Sequence, residues 1–267
     1  YWAIRIITGR KYATKTTSLV IFILWLAGLF MLYSFSAKTF IHWNKFGNQN
    51  WTFSSAESDS PIKDEVRTVD AFQNIEISGN IELILTQDSV RKVTVSAPEL
   101  LLPYIKTEIR GSKLDVYCEK GFTNNRIKVY VNTDSIFSLV ANGASSIKST
   151  STINSSSLNL ELNGASKANL DLNVLKNINL DISGASYADI DGSVPNLYVE
   201  VSGASKVDAD QLNAQNVVVE TSGASKAQVY AIESVDADAS GASSIRCEGN
   251  PKIQKKSENL GSKITIK

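Results

Sequence analysis

Five carboxylates, Glu161, Asp181, Glu200, Glu220 and Asp238, recur at intervals of 20, 19, 20 and 18 residues, each three positions before a glycine. If the chain repeats its path at that period, these groups stand in a column about 4.8 Å apart. Two chemistries suit such a column. Carboxylate oxygens are ligands for hard divalent cations, and a file of negative charge also suits a basic partner. A third reading is a solvated face with counter-charges nearby. Like charges at that spacing repel by about 1 kcal/mol per pair in water, and Lys167, Lys206 and Lys226, three positions after the glycines, offer partial compensation from the next face.

Other chemistry is sparse. His42 is the only histidine and lies far from the repeats, which removes a Ser-His-Asp triad and any multi-histidine metal site. Neither a phosphate loop nor a dinucleotide fingerprint occurs, so no catalytic or cofactor-binding residue is assigned. Cys118 and Cys247 share the inward parity of their strands. They are about six coils apart, roughly 30 Å, against about 7 Å for bonded Cα atoms, so both read as inert core thiols. Formal net charge is zero, which gives no general attraction to nucleic acid.

The elements that position the column come from the phrase around those glycines. "NGASS", "NGASK", "SGASY", "SGASK", "SGASK" and "SGASS" place Gly143, Gly164, Gly184, Gly203, Gly223 and Gly241 at steps of 21, 20, 19, 20 and 18 residues. Positions −6, −4 and −2 before each glycine are apolar in most repeats, beginning with Phe137, Leu139 and Ala141 and continuing with Leu158, Leu160 and Leu162. Position +4 is Ile147, Ala168, Ala188, Val207, Ala227 and Ile245. Period-two alternation on both sides of a fixed corner specifies strands with one buried face. A coil of about twenty residues stacked on itself, a parallel β-helix, explains both features. The glycine supplies φ > 0 at the corner, and the flanking Asn or Ser and the Ser at +2 are placed for hydrogen-bond ladders. Weaker corners are expected at Gly79 and Gly111, with a degenerate final one at Gly261. Eight to ten coils would make a rod of about 40–50 Å.

The N-terminal region differs. Between Lys15 and Lys38 lie 22 uncharged residues centred on "SLVIFILWLAGLFMLYSF", a helix of about 33 Å against a hydrocarbon core of about 30 Å. This predicts a single transmembrane helix over residues 17–37, longer than the apolar region of a cleavable signal peptide. Arg5, Arg10, Lys11 and Lys15 precede it, whereas only Lys38 and Lys45 follow closely. The positive-inside rule puts the N-terminus in the cytoplasm, with Tyr33, Phe40 and Trp43 at the outer interface. The chain starts at Tyr1 and its only methionine is Met31, so it reads as a piece of a longer polypeptide. The expected layout is a cytoplasmic flank at 1–16, the span at 17–37, a stalk at 38–64 and the β-helix at 65–267.

The "SGAS" corners, with "FQNIEISGNIELILTQ" before them and "GASSIRCEGNPKI" after, resemble the putative auto-transporter adhesin head GIN domain family of bacteria. The resemblance implies a right-handed β-helical domain, usually exported, and transfers no catalytic motif. "WAIRIITGRKYATKTTSLVIFILWLAGL" is more weakly similar to membrane regions of phage-shock-protein-C-type proteins, which can precede this domain.

Three functions compete. The sequence favours a non-catalytic scaffold or accessory subunit on the periplasmic side of the bacterial inner membrane. Its partners would be the bilayer, through 17–37, and other membrane proteins. A cell-surface adhesin binding glycans or surfaces is the alternative, with divalent cations as a further ligand. A polysaccharide-active β-helix enzyme ranks last, because outward aromatics are few (Tyr187, Tyr198 and Tyr230).

Overall fold

The computed structural model describes residues 60–120, 127–259 and 261–267. The predicted flank, the transmembrane helix at 17–37 and the stalk up to residue 59 lie outside the described residues. Among the described residues no helix is long and apolar enough to cross a membrane. Among the described residues the first strand starts at Ile62, within the stretch assigned to the stalk.

The described chain is all-β, a solenoid of about six turns. Its first strands are β1 (Ile62–Arg67), β2 (Asn74–Gly79), β3 (Ile81–Gln87) and β4 (Lys92–Pro98), followed by a 3-10 helix at Glu99–Tyr104. Next come β5 (Ile105–Arg110), β6 (Lys113–Cys118), β7 (Ile127–Thr133), β8 (Ser138–Gly143) and β9 (Ser146–Ser149). The regular coils are β10 (Ile153–Leu162), β11 (Lys167–Ile182), β12 (Tyr187–Val201), β13 (Lys206–Thr221) and β14 (Lys226–Ala239). β15 (Ser244–Glu248), β16 (Ile253–Glu258) and β17 (Lys263–Ile266) finish the stack.

From β8 onward each coil pairs in parallel with the next at the expected offset, as in Lys167↔Tyr187, Tyr187↔Lys206 and Lys206↔Lys226. The alternating residues predicted to face inward are buried. Leu158, Ile178, Leu197, Val217 and Val235 form one internal row and the +4 residues another. Thr221 occupies an inward position and is satisfied there, its Oγ1 lying 2.9 Å from Ser243 Oγ. Phe137 is a correction: it is 36% exposed, whereas Ile136 is buried. β8 begins only at Ser138, so the alternation does not extend back to residue 137.

The corner is built as the phrase predicts, and Gly79 belongs to it. The amide of Ala144 donates to the Gly79 carbonyl at 2.7 Å, and Ala165 and Ala185 donate in the same way to Gly143 and Gly164. Stacking brings successive glycines so close that a Cβ on Gly184 would lie 2.4 Å from the Gly164 carbonyl oxygen. Gly111 is not a corner. It turns an antiparallel hairpin between β5 and β6, with Ile105 opposite Cys118, because a local two-strand turn closes before the chain can complete a coil.

That hairpin belongs to a second departure from the sequence expectation. β2 lies between β6 and β8, and β3 lies between β7 and β9. The coil made by β6 and β7 therefore precedes β2 and β3 in space although it follows them in the chain. Beyond it, β4 and β1 add antiparallel strands at this end. The 3-10 helix contributes the buried Leu101 and Leu102 to the core there. These segments replace the extra coils expected upstream, so the stack is shorter than eight coils.

Gly184→Ala is expected to destabilise the fold by at least about 3 kcal/mol, since positive φ alone costs about 1–2 kcal/mol and the stacked carbonyl adds a clash. Gly111→Ala, at φ 64 with nothing within 4 Å, is expected to incur only the backbone cost. Urea titration of both variants checks the difference.

Candidate functional site

The carboxylate column forms on the outward side of the strands that lead into each corner. Register pairs Glu161 with Asp181, Asp181 with Glu200, Glu200 with Glu220 and Glu220 with Asp238. All five are exposed. Two positions earlier in the same strands run Asn159, Asn179, Tyr198, Val218 and Asp236, with Ser138 of β8 in register with Asn159. The two rows line a shallow groove of about 470 Å³. A second hollow of about 280 Å³ continues past Glu200, Glu220 and Asp238 to Ser222 and Ser240.

The lysines expected to compensate this charge do not reach it. Lys206 Nζ lies 3.0 Å from Asp208 Oδ2 on its own face, and this hydrogen bond raises its pKa. Among the described residues none of the five carboxylates forms an ion pair. Glu161 accepts a hydrogen bond from Asn163 Nδ2 at 2.6 Å. At the far end Lys255 pairs at 2.8 Å with Asp236, two positions before Asp238 on the same outward side. From Glu161 to Glu220 the column is therefore negative without an ion pair, and only Lys255, bound to Asp236, stands near its Asp238 end. Among the described residues no three His, Cys, Asp or Glu groups cluster to hold a metal ion. A single file supplies too few oxygens at one point for a six- to eight-coordinate cation.

Beside the corner, polar side chains stitch the coils. Asn142 Nδ2 donates to Glu76 Oε1 at 3.0 Å, Asn163 Nδ2 to Asn142 Oδ1 at 3.0 Å, and Ser183 Oγ to Asn163 Oδ1 at 2.7 Å. Inside the corner Ser145, Ser166 and Ser225 are buried and donate to the carbonyls of Asn142, Asn163 and Ser222. A further ladder was missed in the sequence: Asn196 donates to Asn177, Asn216 to Asn196 and Ser234 to Asn216. All four sit seven positions before a corner glycine, so the signal was present.

Other charged residues were also overlooked. Glu76 stands three positions before Gly79, where the column's rule would have found it, but Val140 interrupts the file between Glu76 and Glu161. Asp115 is the in-register neighbour of Glu76. No periodicity could reveal that contact, because it depends on the out-of-order coil. Lys113 binds both Glu76 and Asp115, and Arg110 binds Asp115 and Glu108. Hydrogen bonds from Arg110 and then Tyr117 hold Glu108 below the usual carboxylate range. Unlike the column, this end of the face is fully paired.

On the face after the corner, Asp171, Asp189, Asp191, Asp208 and Asp210 form a second acidic patch, with Asp171 opposite Asp191 and Asp189 opposite Asp208. Partial desolvation, then repulsion from Asp189 and Asp171, raises the Asp191 pKa. The thiols are unbonded, with Cys247 buried and Cys118 half-buried. Cys118 thus only partly meets the core position expected of it. Burial pushes the Cys247 thiol up to about 11.

A protein-family profile described as "Putative auto-transporter adhesin, head GIN domain" matches residues 71–251. Among solved structures, a putative adhesin from Bacteroides fragilis is 17% identical with a TM-score of 0.72, over 79% of this chain and 99% of that one. A putative adhesin from Parabacteroides distasonis is 17% identical with a TM-score of 0.58, over 78% and 98%. A structure titled putative lipid binding protein, also from Parabacteroides distasonis, is 19% identical with a TM-score of 0.55, over 78% and 98%. At these identities the likeness is one of fold. A comparison with curated proteins finds no match.

Two outcomes follow from the site chemistry. Near about pH 8 a thiol reagent should label Cys118 in the folded chain and Cys247 only after unfolding, as peptide mapping would show. A raised carboxyl pKa means the folded state takes up the proton more readily than the unfolded one, so the ionised Asp191 weakens the fold at neutral pH. Asp191→Asn is expected to stabilise by no more than about 0.5 kcal/mol, and the gain should vanish as pH falls through the raised value, above 3.8. Thermal melts across that range check the sign.

Proposed function

We propose a function from one premise: the chain belongs to the family described as putative auto-transporter adhesin, head GIN domain. Its role is non-catalytic binding. A transmembrane helix at 17–37 holds a right-handed coil on the outer side of the bacterial inner membrane, where it serves as a scaffold or accessory subunit. The partner is a membrane protein with a basic segment that lies along the carboxylate column.

The observation that carries this reading is the file from Glu161 to Asp238, none of whose members forms an ion pair among the described residues. Four adjacent like-charged pairs cost about 1 kcal/mol each in water. A face evolved only for solvation has no need of them. Tyr198, 45% exposed, and Val218 give the same groove apolar contact area, as protein interfaces require. A basic protein satisfies the column better than a cation does, because it meets each carboxylate singly.

The family description and the names of the Bacteroides and Parabacteroides structures favour a second reading, a cell-surface adhesin whose groove takes glycans. The same experiment separates the two. The native full-length chain and the triple variant Asp181→Asn, Glu200→Gln, Glu220→Gln are purified in mild detergent and the co-purifying proteins identified. A stoichiometric membrane protein, reduced about tenfold or more in the variant, supports the subunit. A chain that purifies alone overturns it, and binding to immobilised glycans then tests the adhesin reading.

A further inference from the structure

Between Gly249 and Lys267 the chain carries five lysines, Lys252, Lys255, Lys256, Lys263 and Lys267, against one acid, Glu258. They belong to the last coil of the solenoid. β16 pairs with β14 and β17 with β15, and among the described residues neither strand has a partner on its other edge. Register sets Gln254, Lys256 and Glu258 over Val235, Ala237 and Ala239, so those buried rows finish in polar side chains. A repeat needs a polar cap to stay soluble, and lysine on an outer strand discourages pairing with another strand. A cap of mixed charge would meet both needs, whereas this one has almost a single sign. All five lysines are exposed, and among the described residues only Lys255 forms an ion pair, with Asp236. Glu258 is occupied within the same end, accepting a hydrogen bond from the Ile264 amide at 2.7 Å.

The chain as a whole has no formal net charge, so charge is segregated along it rather than in excess. The basic end calls for an acidic counterpart, and the faces of a second copy can be compared for one. A second C-terminal end would set lysine against lysine. The N-terminal end is largely self-paired, through Lys63 and Glu99, Lys106 and Glu119, and Arg110 and Glu108. The acidic patch after the corner already accepts hydrogen bonds from Thr152, Asn169, Lys206 and Gln228. The column from Glu161 to Asp238 is the least occupied, its one side-chain hydrogen bond among the described residues coming from Asn163 to Glu161.

We infer that the lysine-bearing end of one copy docks on the carboxylate column of a second copy. The inference rests on the reading of that column as the seat of a basic protein segment, and it names what occupies the column when the membrane partner is absent. The spacing agrees. Lys263 and Lys267 have the same parity on β17 and its continuation, opposite to the buried Ile264, so they stand on one side about 13 Å apart. Three steps of the column cover about 14 Å. Lys252 joins them from the neighbouring turn, where the Asn250 amide donates to the Lys267 carbonyl at 2.9 Å. The contact joins two different surfaces, and every copy offers both, so association need not stop at a pair. Its charges are exposed, so salt weakens it.

The test is sedimentation velocity of the full chain in mild detergent over a wide range of protein concentration. The parent is compared with the column variant Asp181→Asn, Glu200→Gln, Glu220→Gln and an end variant, Lys252→Gln, Lys263→Gln, Lys267→Gln. The parent is expected to form larger species as concentration rises and to lose them in high salt. Each variant is expected to need about tenfold more protein for the same association. A mixture of the two variants is expected to restore pairs, because the intact column of one meets the intact lysines of the other. Arginine at positions 252, 263 and 267 is expected to associate like the parent, which separates lost charge from lost folding. A parent that stays monomeric overturns the inference. If the column variant still loses a co-purifying membrane protein, the reading of the column stands without it; if no such protein exists, both fall. Association that survives both variants, or a mixture no better than its parts, places the contact elsewhere in the chain and also overturns it.

Discussion

Each corner from Gly143 to Gly241 places one glycine against the carbonyl of the glycine a coil earlier, with room for a hydrogen atom and not for a methyl group. That contact lets the following alanine amide reach the stacked carbonyl at 2.7–2.8 Å, and it sets the chain's reversal at the same point in every turn. With the reversal set, the period-two alternation on either side points inward in every coil. The core then becomes a set of continuous rows rather than a collection of pockets. A side chain at any of these corners would displace two coils at once, because the obstruction is backbone, which cannot rotate away.

The same constraint arranges the outside. Once coils superpose, a residue type repeated at one position becomes a column whether or not its members attract. Asparagine and serine gain from this: the ladders through Asn142, Asn163 and Ser183, and through Asn177, Asn196, Asn216 and Ser234, convert repetition into hydrogen bonds. Carboxylates lose by it. The column from Glu161 to Asp238 is held together by the backbone ladder and the core beneath it, against its own repulsion, and among the described residues none of its members forms an ion pair.

The two ends of the stack are unlike. The regular coils run to β17 with a loosened last corner, where a Cβ on Gly261 would have 4.0 Å of space. The N-terminal end is instead built from antiparallel strands, a hairpin and a 3-10 helix. The out-of-order coil of β6 and β7 brings Asp115 beside Glu76, so carboxylates at this end are neutralised by Lys113 and Arg110. One outward face therefore carries two electrostatic regimes: ion-paired near its N-terminal end, and without an ion pair on the column from Glu161 to Asp238.

The periodic part of the protein was legible from residue spacing alone. Gly-Ala-Ser at intervals of about twenty, with apolar residues two, four and six positions before it, identifies the coil, its inward rows and its exposed carboxylates, because in a stacked repeat the position within the period decides the environment. Glu76 and the ladder at Asn177, Asn196 and Asn216 obeyed the same rule and needed only a wider reading of it. The hairpin at Gly111, the exposed Phe137, the pairing of Glu76 with Asp115 and the turning of Lys206 to Asp208 lay beyond it. Each depends on which strands become neighbours or on which of several nearby charges a flexible side chain selects, and those are energies of contacts between residues distant in sequence. Spacing specified the repeat and its faces; only tertiary pairing decided where the repeat is interrupted, how its end is closed and which of its charges are left without a partner.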